Sequence, residues 1–149
     1  MRSETVPSIE LGELTSELRL VVGRLARQLR RHSVGGLTPS QVSALISIAK
    51  HEPVRPGDLA GIEGVAAPTL SRIVAWLENE GLVERRDDPL DGRSALLSVT
   101  RKGRATLEEV RAAKQAMLRD RVQRLSDAER AVLAQALPVL ASLLEDDRR

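Results

Sequence analysis

The chain has 149 residues, enough for one domain or two small lobes sharing a core and too few for a typical two-domain enzyme. It contains no cysteine and only two histidines, His32 and His51, which excludes disulfides, thiolate nucleophiles, thiol redox sensing and cysteine-ligated metals, and argues against a histidine metal cage. Net charge is +2 although the pI is near 9.6, because arginine dominates the bases and little titrates between neutrality and strong alkali; where the charges sit therefore matters more than their sum.

The first twenty residues carry Glu4, Glu10, Glu13 and Glu17 and no apolar leader, and no apolar run reaches the length of a membrane span. A cytoplasmic location is expected, without a membrane partner. From Leu11, a stripe of Leu14, Leu18, Val21, Leu25 and Leu29 recurs at three- and four-residue steps and predicts a long helix. Its second half is basic only, with Arg19, Arg24, Arg27, Arg30 and Arg31, and Gly35-Gly36 stops it. Thr38 then reads as an N-cap, with Pro39 in the first turn and Gln41 completing a capping box, for a helix through Val42, Leu45, Ile46 and Ala49 to about Lys50.

Pro53 and Pro56 interrupt the chain, a short helix follows from Gly57 to Ile62, and Gly64 breaks it. On the next helix, Ala67 to Glu80, residues Leu70, Ile73, Val74 and Leu77 fall within an arc of roughly 100° and form the core face. Pro68, Thr69, Ser71, Arg72, Ala75 and Trp76 fill the other side, and Gly81 ends the helix. The period then becomes strand-like in Leu82–Arg86 and Ser94–Val99, with Asp87–Arg93 as the hairpin loop. Helical pattern resumes after Thr100, an N-cap, through Leu107, Val110, Met117 or Leu118, Val122 and Leu125. A last helix starts from the Ser126/Glu129 capping box and carries Pro138, where a bend is expected.

The order helix-turn-helix then hairpin is that of a winged helix. The fold class expected is mainly α with a small β-hairpin wing, flanked by long helices at both ends. Their apolar stripes are longer than a small central lobe covers, and such stripes usually bury themselves against a second subunit.

A helix that enters the major groove needs short or hydrogen-bonding side chains and at least one base reader, and Thr69, Ser71 and Arg72 meet that need opposite the core face. The competing reading is a solvated helix face, disfavoured by the basic-flanked hairpin that follows. Arg85 and Arg86 at the wing base suit phosphates, though Asp87, Asp88 and Asp91 dilute the local field. Trp76 either packs against the wing or lies along the sugar-phosphate backbone, with packing favoured because tryptophan is highly buried on average. His32 and His51, near helix ends, read as structural or solvent-facing.

Pro68-Thr69-Leu70-Ser71-Arg72-Ile73-Val74, Leu77-Glu78, Gly81-Leu82-Val83, the Asp88-Pro89-Leu90-Asp91-Gly92-Arg93 loop and Leu97–Thr100 with Gly103 together resemble the MarR family of bacterial transcription regulators, over nearly the whole chain. The resemblance implies a single domain over 1–149, with dimerisation helices at 8–33 and 104–146 and a DNA-binding lobe at 38–103. It implies a homodimeric repressor of a palindromic operator on double-stranded DNA, contacted through Thr38, Pro68, Thr69, Ser71, Arg72, Trp76, Arg85, Arg86, Asp91 and Arg93. In that pattern Arg93 reaches the minor groove and Asp91 steadies it; alternatively, the two merely pair to shape the turn. Trp76 departs from the family, which frequently has arginine there.

The resemblance also implies a small-molecule effector, often a lipophilic or phenolic acid, in a cavity lined by Leu25, Leu29, Leu45, Ile48, Val110 and Met117, with Arg24 or Arg27 as counter-ion. Leucines at helical spacing are core far more often than pocket. No cofactor or metal is expected. An enzyme finds no support, with no nucleophile elbow, phosphate-binding glycine loop or metal-ligand cluster. A winged helix used only for protein–protein contact is the remaining alternative.

Overall fold

The computed structural model describes residues 9–31 and 35–144; His32 and the outermost ends of both expected dimerisation segments lie outside them. In chain order the elements are α1 (Leu11–Arg31), α2 (Pro39–His51), α3 (Pro56–Glu63), α4 (Ala67–Asn79), β1 (Val83–Asp88), β2 (Asp91–Val99), α5 (Arg101–Val122) and α6 (Asp127–Ser142). Two compact units meet at Val110/Arg111, within α5.

Local chemistry explains most boundaries. Thr38 is extended and accepts the Gln41 N–H at 3.3 Å, while Gln41 Oε1 accepts the Thr38 N–H at 2.7 Å, so the expected capping box is present. α4 ends in a Schellman motif. Gly81 takes a left-handed φ of +70°, its N–H bonds to Glu78 O, and the Leu82 N–H bonds to Leu77 O at 2.9 Å. Ser126 and Glu129 form the second reciprocal cap, at the start of α6, which continues through Pro138 to Ser142.

In the first unit, α2, α3 and α4 pack on one another and on the hairpin around Leu45, Ile48, Leu59, Leu70, Val74, Leu77 and Leu97. The strands extend further than the sequence pattern predicts. Pairing runs from Val83–Val99 to Asp87–Ala95 and closes at Asp88–Asp91, leaving Pro89-Leu90 at the tip and Gly92, Arg93 and Ser94 as an irregularity in β2. The expected seven-residue loop is thus a tight turn, because the Asp88 carboxylate accepts the Leu90 N–H at 2.9 Å and the Asp91 carboxylate accepts the Arg93 N–H at 3.1 Å. A third backbone segment joins the hairpin: Val54 and Leu97 exchange both backbone hydrogen bonds, at 3.1 and 2.9 Å.

Thr100 locks the hairpin to α5. Its hydroxyl donates to Gly81 O at 2.6 Å and accepts the Gly103 N–H at 3.0 Å, while its own N–H bonds to Leu82 O. By contrast, α1 leaves Leu11, Leu14, Val21 and Leu25 exposed. In the second unit α6 has no buried residue, and Val132 and Leu137 are 66% and 58% exposed.

Candidate nucleic-acid interface

The α4 face divides as its spacing requires. Leu70, Val74 and Leu77 are buried, Ile73 is half-buried against the core, and Pro68, Thr69, Ser71, Arg72 and Ala75 are exposed. Small side chains therefore surround one guanidinium, a surface that lets a helix backbone approach a groove floor. Trp76, grouped with this face by spacing, is instead half-buried and packed on the core cluster, as the burial preference of a lone tryptophan suggests.

At the wing, Arg93 is exposed within the irregular part of β2. Asp91 acts on it through the backbone, holding the Arg93 N–H. The wing-base arginines are differently placed. Arg85 grips Glu78 as a fork, Nε to Oε1 at 2.9 Å and Nη2 to Oε2 at 3.2 Å, and Arg86 Nη2 meets Glu84 at 2.7 Å. A phosphate at either must compete with a carboxylate of the same chain. Thr38 spends its acceptor on the α2 cap and remains exposed.

Five arginines lie between Leu37 and Thr100. Arg55, Arg85 and Arg86 each hold an ion pair with a carboxylate. Arg72 and Arg93 are both exposed and hold none among the described residues. One stands on the exposed face of α4 and the other at the wing, so the lobe's two arginines without a carboxylate partner lie on those two elements.

Sequence reasoning missed Arg55 and the role of Asp88. Arg55, at the N-cap of α3, donates Nε and Nη2 to Asp88 Oδ2 at 2.9 and 2.6 Å, and Asp88 is only 4% exposed. The Leu90 N–H and then the Arg55 guanidinium hold the Asp88 carboxyl below the ordinary carboxylate range against the opposing effect of burial. The Asp-Pro-Leu run signals a side-chain-capped turn, but nothing local signals a partner 33 positions earlier.

The residues expected around an effector lie in different environments. Leu45, Ile48 and Val110 belong to the packed core, Leu29 is half-buried on α1, and Arg24, Leu25 and Arg27 stand exposed. Met117 is buried and belongs to the second unit. An open groove of about 390 Å³ lies elsewhere, between Glu52, Pro53 and Arg104 and the hairpin residues Glu84, Arg86, Leu96 and Ser98. Among the described residues no group of acidic or histidine side chains is placed to hold a metal ion, and no helix is long and apolar enough to cross a membrane.

Residues 37–95 match the model of the MarR family. The chain is 37% identical over 136 residues to an uncharacterized HTH-type transcriptional regulator of Mycobacterium bovis, covering 91% of this chain and 95% of that one. Among solved structures, a putative transcriptional regulator of Pseudomonas aeruginosa is similar with a TM-score of 0.77 and 31% identity, over 93% of this chain and 99% of that one. The Multiple Antibiotic Resistance Repressor, MarR, is similar with a TM-score of 0.68 and 28% identity, over 89% and 95%.

Proposed function

The chain belongs to the MarR family of DNA-binding transcriptional regulators, and from that premise we propose that it is a cytoplasmic homodimeric repressor of a palindromic operator. Each α4 occupies a major groove through Pro68, Thr69, Ser71 and Arg72, and each wing holds the adjacent minor groove through Arg93, with Asp91 shaping its backbone. Thr38, Arg85 and Arg86 contribute phosphate contacts at the margins, and Trp76 supports the helix from its packed side. The observation that carries this reading is the pairing pattern of the lobe's arginines, which leaves Arg72 and Arg93 uncommitted.

A guanidinium on a recognition helix takes a guanine edge bidentately, worth about 1–3 kcal/mol of discrimination. The negative potential of a narrow minor groove favours the wing arginine. Half-sites stand about one helical turn, roughly 10 bp, apart. Control by a small lipophilic or phenolic acid follows if the acid favours a dimer whose recognition helices no longer match that spacing.

Fluorescence anisotropy on a duplex enriched by the wild-type chain from a random-sequence pool tests the reading. Specific binding exceeds a scrambled duplex by ~10³ or more and falls steeply with salt. Arg72→Ala loses most of that ratio, about 1–3 kcal/mol at each half-site, while Arg93→Ala weakens affinity and lowers the salt slope by about two units, one from each subunit. Equal, salt-erased binding to both duplexes refutes sequence-specific recognition, and no binding at low salt favours a protein-contact module instead.

A further inference from the structure

Arg93 reaches a duplex only if the hairpin that carries it stands at a fixed angle to α4. The hairpin is tethered to the segment between α2 and α3 at its base, where the Val99 N–H bonds to Glu52, and at two points beyond the base. The first is the backbone exchange between Val54 and Leu97. The second is three residues further along β1 from Arg85, the partner of Leu97, at Asp88, about 10 Å up the strand. Contacts confined to the base and middle of a two-stranded ribbon, such as Glu52 on Val99 and Glu78 on Arg85, leave its distal half free to twist; a tether nearer the tip removes that freedom.

Asp88 is built for the second tether. It is the one buried charged residue among the described residues, both Arg55 donors converge on Oδ2, and Oδ1 takes the Leu90 N–H across the turn. Its partner sits at the N-cap of α3, the first helix of the helix-turn-helix, so the tip is referenced to the same element that packs against α4. We infer that Arg55 and Asp88 are positioning residues for DNA recognition, acting through the wing arginine Arg93 without touching the duplex themselves. The inference rests on the DNA-binding reading above.

A double-mutant cycle in the full chain separates this role from plain stabilisation. Asp88→Asn keeps the side-chain shape, and Arg55→Gln combined with it leaves no unpaired buried charge, so the double variant is compared with each single one after melting curves show a folded protein at the assay temperature. In the wild-type background Arg93→Ala weakens binding to the selected duplex by ~10-fold. In the Asp88→Asn and double-variant backgrounds, binding is already weaker and Arg93→Ala costs less than about twofold more, whereas Arg72→Ala keeps its full effect. An Arg93→Ala effect of the same size in every background overturns the positioning role and leaves the interface intact. If Arg93→Ala is silent in the wild type, the wing contact itself is wrong and the positioning role falls with it.

Discussion

At Gly103 the side chain is decided by what is not there. A Cβ built on this residue meets Leu82 O at 2.1 Å and Val99 Cγ1 at 2.7 Å, and the first of these is backbone that cannot swing away. Alanine is otherwise the better helix former by about 1 kcal/mol. The clash outweighs that gain, so Gly103→Ala is expected to lower stability by about 2 kcal/mol or more in urea unfolding. Gly61, inside α3 with nothing within 4 Å, is the contrast: Gly61→Ala is expected to raise stability by roughly 0.5–1 kcal/mol. The Thr100-x-x-Gly103 spacing is visible in the sequence and marks a motif, but only the fold shows that the glycine admits the Leu82 carbonyl. The same holds for Arg72 and Arg93, whose residue type is legible while their lack of a carboxylate partner is not.

At the scale of elements, Glu52 joins the end of α2 to the end of β2 and the start of α5. Its carboxylate accepts the Val99 N–H at 2.7 Å and the Arg104 guanidinium. Burial disfavours the charge, but the Val99 N–H and Arg104 outweigh it and hold the carboxyl below the ordinary range. Asp88 is lowered in the same direction, first by the Leu90 N–H. For a group whose native pKa lies below its unfolded value, the stabilisation is complete above the unfolded value, near 4 for carboxylates, and is lost as pH falls through the native one. Urea midpoints measured from pH 7 down to pH 3 should therefore fall on acidification. Glu52→Gln is expected to be less stable at pH 7 and to fall less steeply, so the two curves converge in acid. A slope identical to wild type would remove Glu52 from this account. These links join residues 47 and 52 positions apart, which is why helix periods and turn signals do not reveal them.

For the molecule as a whole, a single chain leaves apolar surface of α1 and α6 in water. On α1, Val21 is 59% exposed beside Leu14, Val22 and Leu25, and α6 exposes Val132, Leu133, Leu137 and Val139. Faces of this kind on a folded protein indicate an interaction surface, in line with the homodimer proposed above. The melting temperature is accordingly expected to rise with protein concentration. Leu137→Glu is expected to sediment as a monomer and to lose most operator affinity, because a single lobe engages one half-site. A monomeric wild type, or a Leu137→Glu chain that still sediments as a dimer, would show that α6 is not the contact.

The sequence by itself determined the helices, their caps at Thr38 and Ser126, the Gly81 stop, the hairpin and the exposed polar face of α4. All of these depend on side chains within a few residues of one another, where 3.6- and two-residue periods and capping chemistry act directly. Only the tertiary structure decided that Trp76 packs inward, that the hairpin closes at Pro89-Leu90, that Leu45 and Ile48 are core, and that Arg55 and Glu52 brace the wing. Those outcomes follow from which distant groups share one buried site, where desolvation leaves a charge or carbonyl no acceptable partner but the one the fold supplies.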